Sequence, residues 1–395
     1  MACPPILLVE GSTAVARPLG PSGVYFMSNL ANIAIVHDTV DSQLPVSAYF
    51  DAQLYQLEQE HLFTHGPRYI GHELMTPLLG DYHVLEADND ARYLKRSDDG
   101  VQLLSNVCRH RQALMLEGRG NQSLTICPLH RWTYDANGQL LGAPHFKKNP
   151  CLHLPNTPLQ SWNGMLFESG RDIEGDLKNL GVAKEIDFSN YVFHSVIVDE
   201  YEGNWKTFIE VYLEDYHVEP FHPGLGRFVE CADLNWEFGD WYSVQTVGVH
   251  NALAKPGSAV YAQWHEELMR YGQGKTPKHG AIWLTYYPNI MVEWYPHTLV
   301  ISTIIPTGPR SYKNVVEFYY PEDVAWFEPE LLVAEQAAYA ETAVEDQEII
   351  RRMEAGRTAL YQAGRNEVGP YQSPMEDGMR HFHAFLRREL GSAIR

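Results

Sequence analysis

Little in this 395-residue sequence points to the secreted, membrane or nucleic-acid-binding classes. Cysteine is scarce: Cys3, Cys108, Cys127, Cys151 and Cys231 are too few and too scattered for a disulfide framework. Positive charge is also short. With 30 Lys and Arg against 50 Asp and Glu, the net charge of −20 works against binding a phosphate backbone. No apolar run approaches the roughly 20 residues that span a bilayer. The short run Ile6–Val9 lacks the basic flank and the length of a signal peptide. The expectation is a soluble, cytoplasmic protein with neither membrane nor nucleic acid as partner. What is present is globular: 45% hydrophobic residues, 20% charged, and a length that suits two domains.

Residues 48–63 carry Tyr49, Leu54, Leu57 and Leu62 near one helical face. Between Arg68 and Gly142 the texture becomes short strand-like runs punctuated by Gly, Asn and Asp, with a hairpin signal at Asp135-Ala136-Asn137-Gly138. Prolines crowd residues 143–165. A strand-like run ending at Glu202 then leads into a helix expected over Asn204–His217. Further strands are expected around 241–250, 281–305 and 313–320, and closing helices around 323–356 and 375–390. The reading is an α+β fold. It comprises an N-terminal extension (1–45), a small antiparallel β domain (46–165), and a larger domain (166–395) with an antiparallel sheet covered by helices.

Cys108-Arg109-His110 and Cys127-Pro128-Leu129-His130 are mixed Cys/His pairs at the ends of strand-like runs. Two thiolates and two imidazoles bind either zinc or a [2Fe–2S] cluster whose histidines hold one iron. Zinc fingers group their cysteines first and their histidines later, whereas these pairs are mixed and both lie on loops, which favours the cluster. A zinc-stabilised binding module stays as the alternative. Between Arg92 and Lys148, nine bases face four acids, so these ligands sit in a basic window of an acidic protein. Cys151 and Cys231 have no partner at ligand spacing and read as buried thiols.

The stretch NVCRHR followed by CPLHRWTYDANGQLLGAPHF resembles the Rieske domain of ring-hydroxylating oxygenase α subunits, a family of non-haem iron oxygenases. That resemblance implies Cys108, His110, Cys127 and His130 as cluster ligands, and makes the basic window a docking face for a ferredoxin or flavin reductase. It further implies NAD(P)H as the electron source and a head-to-tail homotrimer.

A second constellation lies downstream. Pro220 stops a helix carrying His217, so the chain turns before His222. In an unbroken helix the two imidazoles would diverge by about 140°, and a break lets them converge. Two imidazoles and a carboxylate form the facial triad of a non-haem Fe(II) site. The pair alone reads equally as two core histidines. EDYHVEPFHP, however, is similar to the acidic-x2-His-x4-His motif of the same family. The resemblance implies His217 and His222 as iron ligands and Glu214 as the carboxylate bridging to a Rieske histidine of a neighbouring subunit. Family members commonly have Asp there; the longer Glu resembles the branch acting on quaternary ammonium compounds. Asp215 is the neighbouring alternative, about 100° round the helix.

For the third ligand, periodicity separates the candidates. Tyr339, Ala343, Asp346, Ile349, Ile350 and Met353 share one helical face, whereas Glu341, Glu345 and Glu348 lie on another. A carboxylate on an apolar face is costly unless paired or metal-bound, which singles out Asp346; an Asp paired with Arg between helices is the alternative. The resemblance also places the ligand in this segment. The expected activity is O2-dependent hydroxylation of a small organic, aromatic substrate, in the manner of aromatic hydrocarbon catabolism. Oxidation or demethylation of a quaternary ammonium is the alternative. Trp236, Trp241, Tyr242, Trp283, Tyr286, Tyr287, Trp294 and Tyr295 suit either a ring or a cation, and Glu293 is a candidate countercharge.

Overall fold

The computed structural model describes residues 42–394. Cys3 and nearly all of the expected N-terminal extension lie outside this range. Among the described residues no helix is long and apolar enough to cross a membrane.

The first helix, Ala52–Glu58, starts where Asp51 accepts hydrogen bonds from the Gln53 and Leu54 amides, which would otherwise lack acceptors. Leu54 and Leu62 sink into the cluster that holds Trp205 and Ile209, so this segment packs against the larger domain. Glu58 is fully buried there. It accepts from Trp205 Nε1 at 2.9 Å and pairs with the buried ammonium of Lys206.

The small domain contains a five-stranded antiparallel sheet in the order Arg119–Asn121, Asp81–Val84, Arg92–Ser97, Gly100–Ser105, Asn156–Thr157. Alternation along its strands divides two cores. Tyr93, paired with Leu104, faces Cys108, Cys127 and Trp132, while Leu94, paired with Leu103, faces Met75, Leu85 and Leu166. A three-stranded sheet (Thr125–Ile126, Thr133–Tyr134, Leu140–Gly142) contains the expected hairpin, whose turn places Gly138 at φ +81°.

The larger domain is built on seven antiparallel strands in the order Tyr191–Glu202, Ser311–Pro321, Thr298–Gly308, Ile290–Tyr295, Ala281–Tyr286, Tyr242–Val249, Val229–Phe238. Both faces are covered, which is why Ala281–Tyr286 is buried at every position. Leu299, Ile301 and Tyr319 face one cluster; Val300, Phe318 and Tyr320 face the other, beneath the helices Ala259–Tyr271 and Pro329–Gln362.

Three expectations shift. The strand Val229–Phe238 and the helix Ala259–Tyr271 went unpredicted, although Tyr261, Trp264, His265 and Leu268 share one helical face. The closing helix is two: Glu322–Phe327 ends at Glu328, and Pro329, whose missing N–H costs nothing at a helix start, opens the 34-residue second piece. The helix expected over Asn204–His217 runs only from Trp205 to Tyr212, with Asn204 capping it through a bond from the Lys206 amide. It stops because backbone from the last helix, Asp377–Leu390, and its approach intervenes. Leu213 O accepts from Met379 N at 3.1 Å, and Asp215 N donates to Met375 O at 3.0 Å. Gly378 makes this approach possible, since a Cβ there would sit 2.2 Å from the Trp236 ring. Glu210, one turn earlier, accepts from Arg357 at 2.6 Å, from His383 Nε2 at 2.9 Å and from Tyr49. Burial works against its charge, but Arg357 and His383 outweigh it and hold the carboxyl at about 2.

Candidate metal centres and the cavity between helix and sheet

The two Cys/His loops close in the same way. Cys108 N donates to Ala113 O at 2.9 Å and Gln112 N to Cys108 O at 3.0 Å; Cys127 N donates to Trp132 O at 2.8 Å and Arg131 N to Cys127 O at 3.1 Å. Gln112 and Arg131, each four residues past its cysteine, adopt left-handed conformations at φ 54° and 60°. Repetition of one loop in two places brings four ligand atoms to one end of the domain. Cys108 and Cys127 are buried and His130 is exposed, with the His110 and His130 rings 4.6 Å apart. Trp132 stacks on His110 at 5.0 Å and 4°. The Tyr134 hydroxyl lies 3.8 Å from Cys108 Sγ. Burial pushes the Cys127 thiol up, and the Leu129 and His130 amides oppose it, as donors to a thiolate would. His110 Nδ1 is buried with no hydrogen-bond partner. Two buried sulfurs and a buried, unpartnered imidazole nitrogen at one end of the domain fit a Rieske cluster. Of the other cysteines, Cys231 is a half-buried free thiol, whereas Cys151 is disulfide-bonded and is not the buried thiol expected.

The broken helix sets the second centre. After Leu213 the chain turns, and Glu214 folds back so that Oε2 accepts from the His217 amide at 3.1 Å and Oε1 meets His217 Nδ1. The one-turn helix Val218–Phe221 then carries the chain to His222. His222 Nδ1 lies 2.7 Å from Glu345 Oε2. Each carboxylate accepts from the Nδ1–H it faces, which leaves each Nε2 as a lone pair. These two nitrogens are 3.0 Å apart, and Asp346 Oδ1 lies 3.0 Å from one and 3.6 Å from the other. All three ligand atoms fall within 4.8 Å of one another, and Asp346 Oδ1 takes no hydrogen bond of its own. Burial opposes charge on His217, yet Asp346 and Glu214 raise it to about 10; Asp346 and Glu345 raise His222 against its burial. Converging lone pairs in a pocket that favours positive charge suit a divalent metal. Glu345 escaped the periodicity argument because it is 100° away from Asp346 on the helix, and its longer side chain reaches round. Asp215 turns the other way, buried against Gln245, and burial pushes it up to about 7.

Between this cluster and the sheet lies a cavity of about 270 Å³. Its mouth includes Ile197 and Asp199; its wall includes Tyr212, Trp264, Trp283, Tyr295 and Tyr339. Of the eight aromatics singled out from the strands, only Trp283 and Tyr295 reach it. Three acids that line it are buried, Asp215, Glu293 and Glu335. Glu293 accepts from the Tyr295 hydroxyl at 2.9 Å and the Tyr339 hydroxyl at 3.2 Å; Glu335 accepts from the Tyr320 hydroxyl at 2.6 Å. Burial pushes Glu293 up to about 7 and Glu335 up to about 8. Glu335 was not anticipated, although it lies one turn before Tyr339 on the Asp346 face. On the far side of Glu214 and His217 is a surface recess of about 580 Å³, lined also by Tyr216, Cys231 and His250. These two residues therefore form a wall between the recess and the cavity.

Comparison with known proteins places both centres in context. A family model for the ring hydroxylating alpha subunit (catalytic domain) matches residues 187–392, and one for the Rieske [2Fe-2S] domain matches residues 73–162. The chain is 62% identical over 364 residues to a putrescine 2-hydroxylase of Ralstonia nicotianae, covering 92% of this chain and all of that one. It is 54% identical to a putrescine 2-hydroxylase of Bordetella bronchiseptica, with coverage of 89% and 85%. In fold it is similar to a quaternary ammonium Rieske monooxygenase, with a TM-score of 0.70 at 18% identity, covering 88% of this chain and 96% of that one. None of these three relatives carries a name that supports an aromatic substrate. Two matched domains, in the order the motifs implied and joined in one chain, make this protein a member of the Rieske ring-hydroxylating oxygenase family, an oxidoreductase with a [2Fe–2S] cluster and a mononuclear iron.

Proposed function

We propose that the protein hydroxylates an aliphatic diamine of the putrescine type, using O2 and electrons delivered by a reductase or ferredoxin. The observation that carries this reading is the buried acid Glu293 in the wall of a largely apolar cavity beside the His217–His222–Asp346 cluster. A flat hydrocarbon would leave the Glu293 carboxylate buried without a counter-ion, at a cost of several kcal/mol. A quaternary ammonium has no N–H to offer it. A primary ammonium offers both charge and three donors. The relatives' activity on putrescine supports the same class.

In this reading Cys108, His110, Cys127 and His130 hold the cluster, and His217, His222 and Asp346 hold the iron. The iron, when bound, activates O2 with electrons passed from the cluster, so that a C–H bond, O2, two electrons and two protons yield an alcohol and water. Glu214 and Glu345 fix the imidazole tautomers and keep each Nε2 directed at one point. Aromatic side chains exclude water from the reacting carbon. The recess beyond Glu214 receives the Rieske face of a second copy, which makes the working form a homotrimer, with Glu214 between His217 and a cluster histidine of the neighbour. The exposed Arg111 and Arg131 belong to the electron donor's docking face.

The test uses holoenzyme with a surrogate reductase and NADH, offered putrescine, aromatic acids and betaines in parallel. Oxygen-dependent formation of hydroxyputrescine, seen as a 16-mass-unit gain, is the expected result. Turnover of an aromatic acid or a betaine with no turnover of putrescine would overturn the reading.

A further inference from the structure

We infer that Glu293 receives the ammonium group farthest from the reacting carbon, and thereby sets which carbon of the diamine faces the iron site. This rests on the diamine reading above and assigns a specificity-determining role within it. Glu293 stands on the strand Ile290–Tyr295, is 3% exposed and lines the cavity. Its two oxygens are braced from opposite sides: Oε1 accepts from Tyr339 on the long helix, and Oε2 from Tyr295, whose oxygen in turn accepts from Trp283 Nε1 at 2.9 Å. A carboxylate offers about four lone-pair directions, so the braces fix its orientation and leave acceptor capacity open. Among the described residues no Lys or Arg forms an ion pair with it. A further acceptor is close at hand, because the Tyr212 hydroxyl lines the same cavity and is buried without a hydrogen-bond partner. The Glu293 charge, after burial itself, pushes that phenol up, which places the two groups within electrostatic reach. Two carboxylate oxygens and one phenol oxygen match the three N–H bonds of a primary ammonium.

Register supports the same assignment. Tyr339 precedes Asp346 by seven residues on one unbroken helix, two turns or about 10 Å along its axis. Three bonds separate the far nitrogen of putrescine from its second carbon, an extended reach of roughly 4 Å. An N–H···O contact adds about 3 Å. The sum, roughly 7 Å, fits within that axial separation. Glu335 does not fit this ruler. It lies another turn from Asp346, and its carboxyl is taken by Tyr320.

The test compares putrescine with 1-butanol, which has no ammonium to place on Glu293, in holoenzyme whose cluster absorbance and iron content are first verified. Glu293→Gln is expected to raise KM for putrescine by about 30-fold or more and to leave KM for 1-butanol little changed, so that preference for the diamine collapses. Glu293→Asp keeps the charge but withdraws it by one methylene, and should move the preferred substrate from putrescine to the five-carbon diamine cadaverine. Should Glu293→Gln fail to load iron, the Asp variant decides alone, and an optimum still at putrescine overturns the inference. Retention of diamine preference by Glu293→Gln overturns the inference and leaves the diamine reading standing. Native enzyme that ignores putrescine overturns both.

Discussion

Removing Glu345 should loosen the mononuclear iron while leaving the cluster intact. Glu345 touches no ligand atom. It accepts the Nδ1–H of His222 at 2.7 Å, and His222 is 1% exposed, so the imidazole has no water to replace that acceptor. Glu345→Ala frees the ring to rotate and to take the other tautomer, and removes a negative charge that strengthens Nε2 as a donor. Loss of such a support costs about 10–100-fold in metal affinity, or about 1.4–2.7 kcal/mol. The Glu345 side chain keeps 25% of its exposure, so solvent screening points to the lower end of that range. In a chelator-buffered ferrous titration, at the free iron that half-fills native protein, a tenfold loss leaves the variant about 9% filled. Cluster absorbance on the same sample should be unchanged, and Glu345→Gln, which keeps a neutral acceptor, should fall between. Superimposable titrations for native protein and Glu345→Ala would refute the supporting role.

Other consequences can be checked independently. Glu214→Gln should leave cluster reduction at native rate while product formation falls at least tenfold, read by stopped-flow absorbance and product analysis side by side; near-native turnover would remove the bridging role. Because burial raises Glu293 from 4.5 to about 7, its carboxylate is lost as pH falls through 7. The ratio of kcat/KM for putrescine to that for 1-butanol should therefore drop about tenfold per pH unit below 7 and level off above it, since the iron site cancels in the ratio. The groups facing Glu293 are Tyr295, Tyr339 and Tyr212, with Glu335 and Asp346 beyond, and no cation among them offsets that shift. Glu58→Gln leaves the Lys206 ammonium buried without a counterion and should cost about 3–5 kcal/mol in chemical denaturation; a loss under 1 kcal/mol would show that water reaches the pair.

The metal chemistry was legible because it is local. Cys108-x-His110, Cys127-x2-His130 and His217-x4-His222 are short spacings that one loop or one helix break can satisfy, although the last pair alone reads equally as core histidines and needed the surrounding EDYHVEPFHP motif to decide it. Asp346 was legible by a different signal, an acid on an apolar helical face. The same reasoning failed for Glu345, because helical angle describes where a Cα–Cβ bond points and says little of where a four-atom side chain ends. It failed also for the helix end at Leu213. That end is decided by Met375 and Met379, which lie far away in sequence and approach through a glycine. The substrate wall stayed hidden for a related reason. Strand alternation tells which aromatics share a face, but not that a helix such as Pro329–Gln362 will close only Trp283 and Tyr295 into a cavity and bring Glu335 with it.

The dependence of the His217 turn on the last helix has a consequence for how the enzyme is assembled in time. Both histidines leave the ribosome long before Met375, Met379 and His383 are made, so the nascent chain holds the ligands but not the turn that makes them converge. The Cys108 and Cys127 loops, in contrast, are complete within their own early domain, which can fold as a unit during synthesis. The two metal centres are thus complete at different moments: the cluster loops first, and the mononuclear site only once Met375 and Met379 have been made. Truncation just before residue 375 should yield a coloured protein that holds its cluster and no catalytic iron.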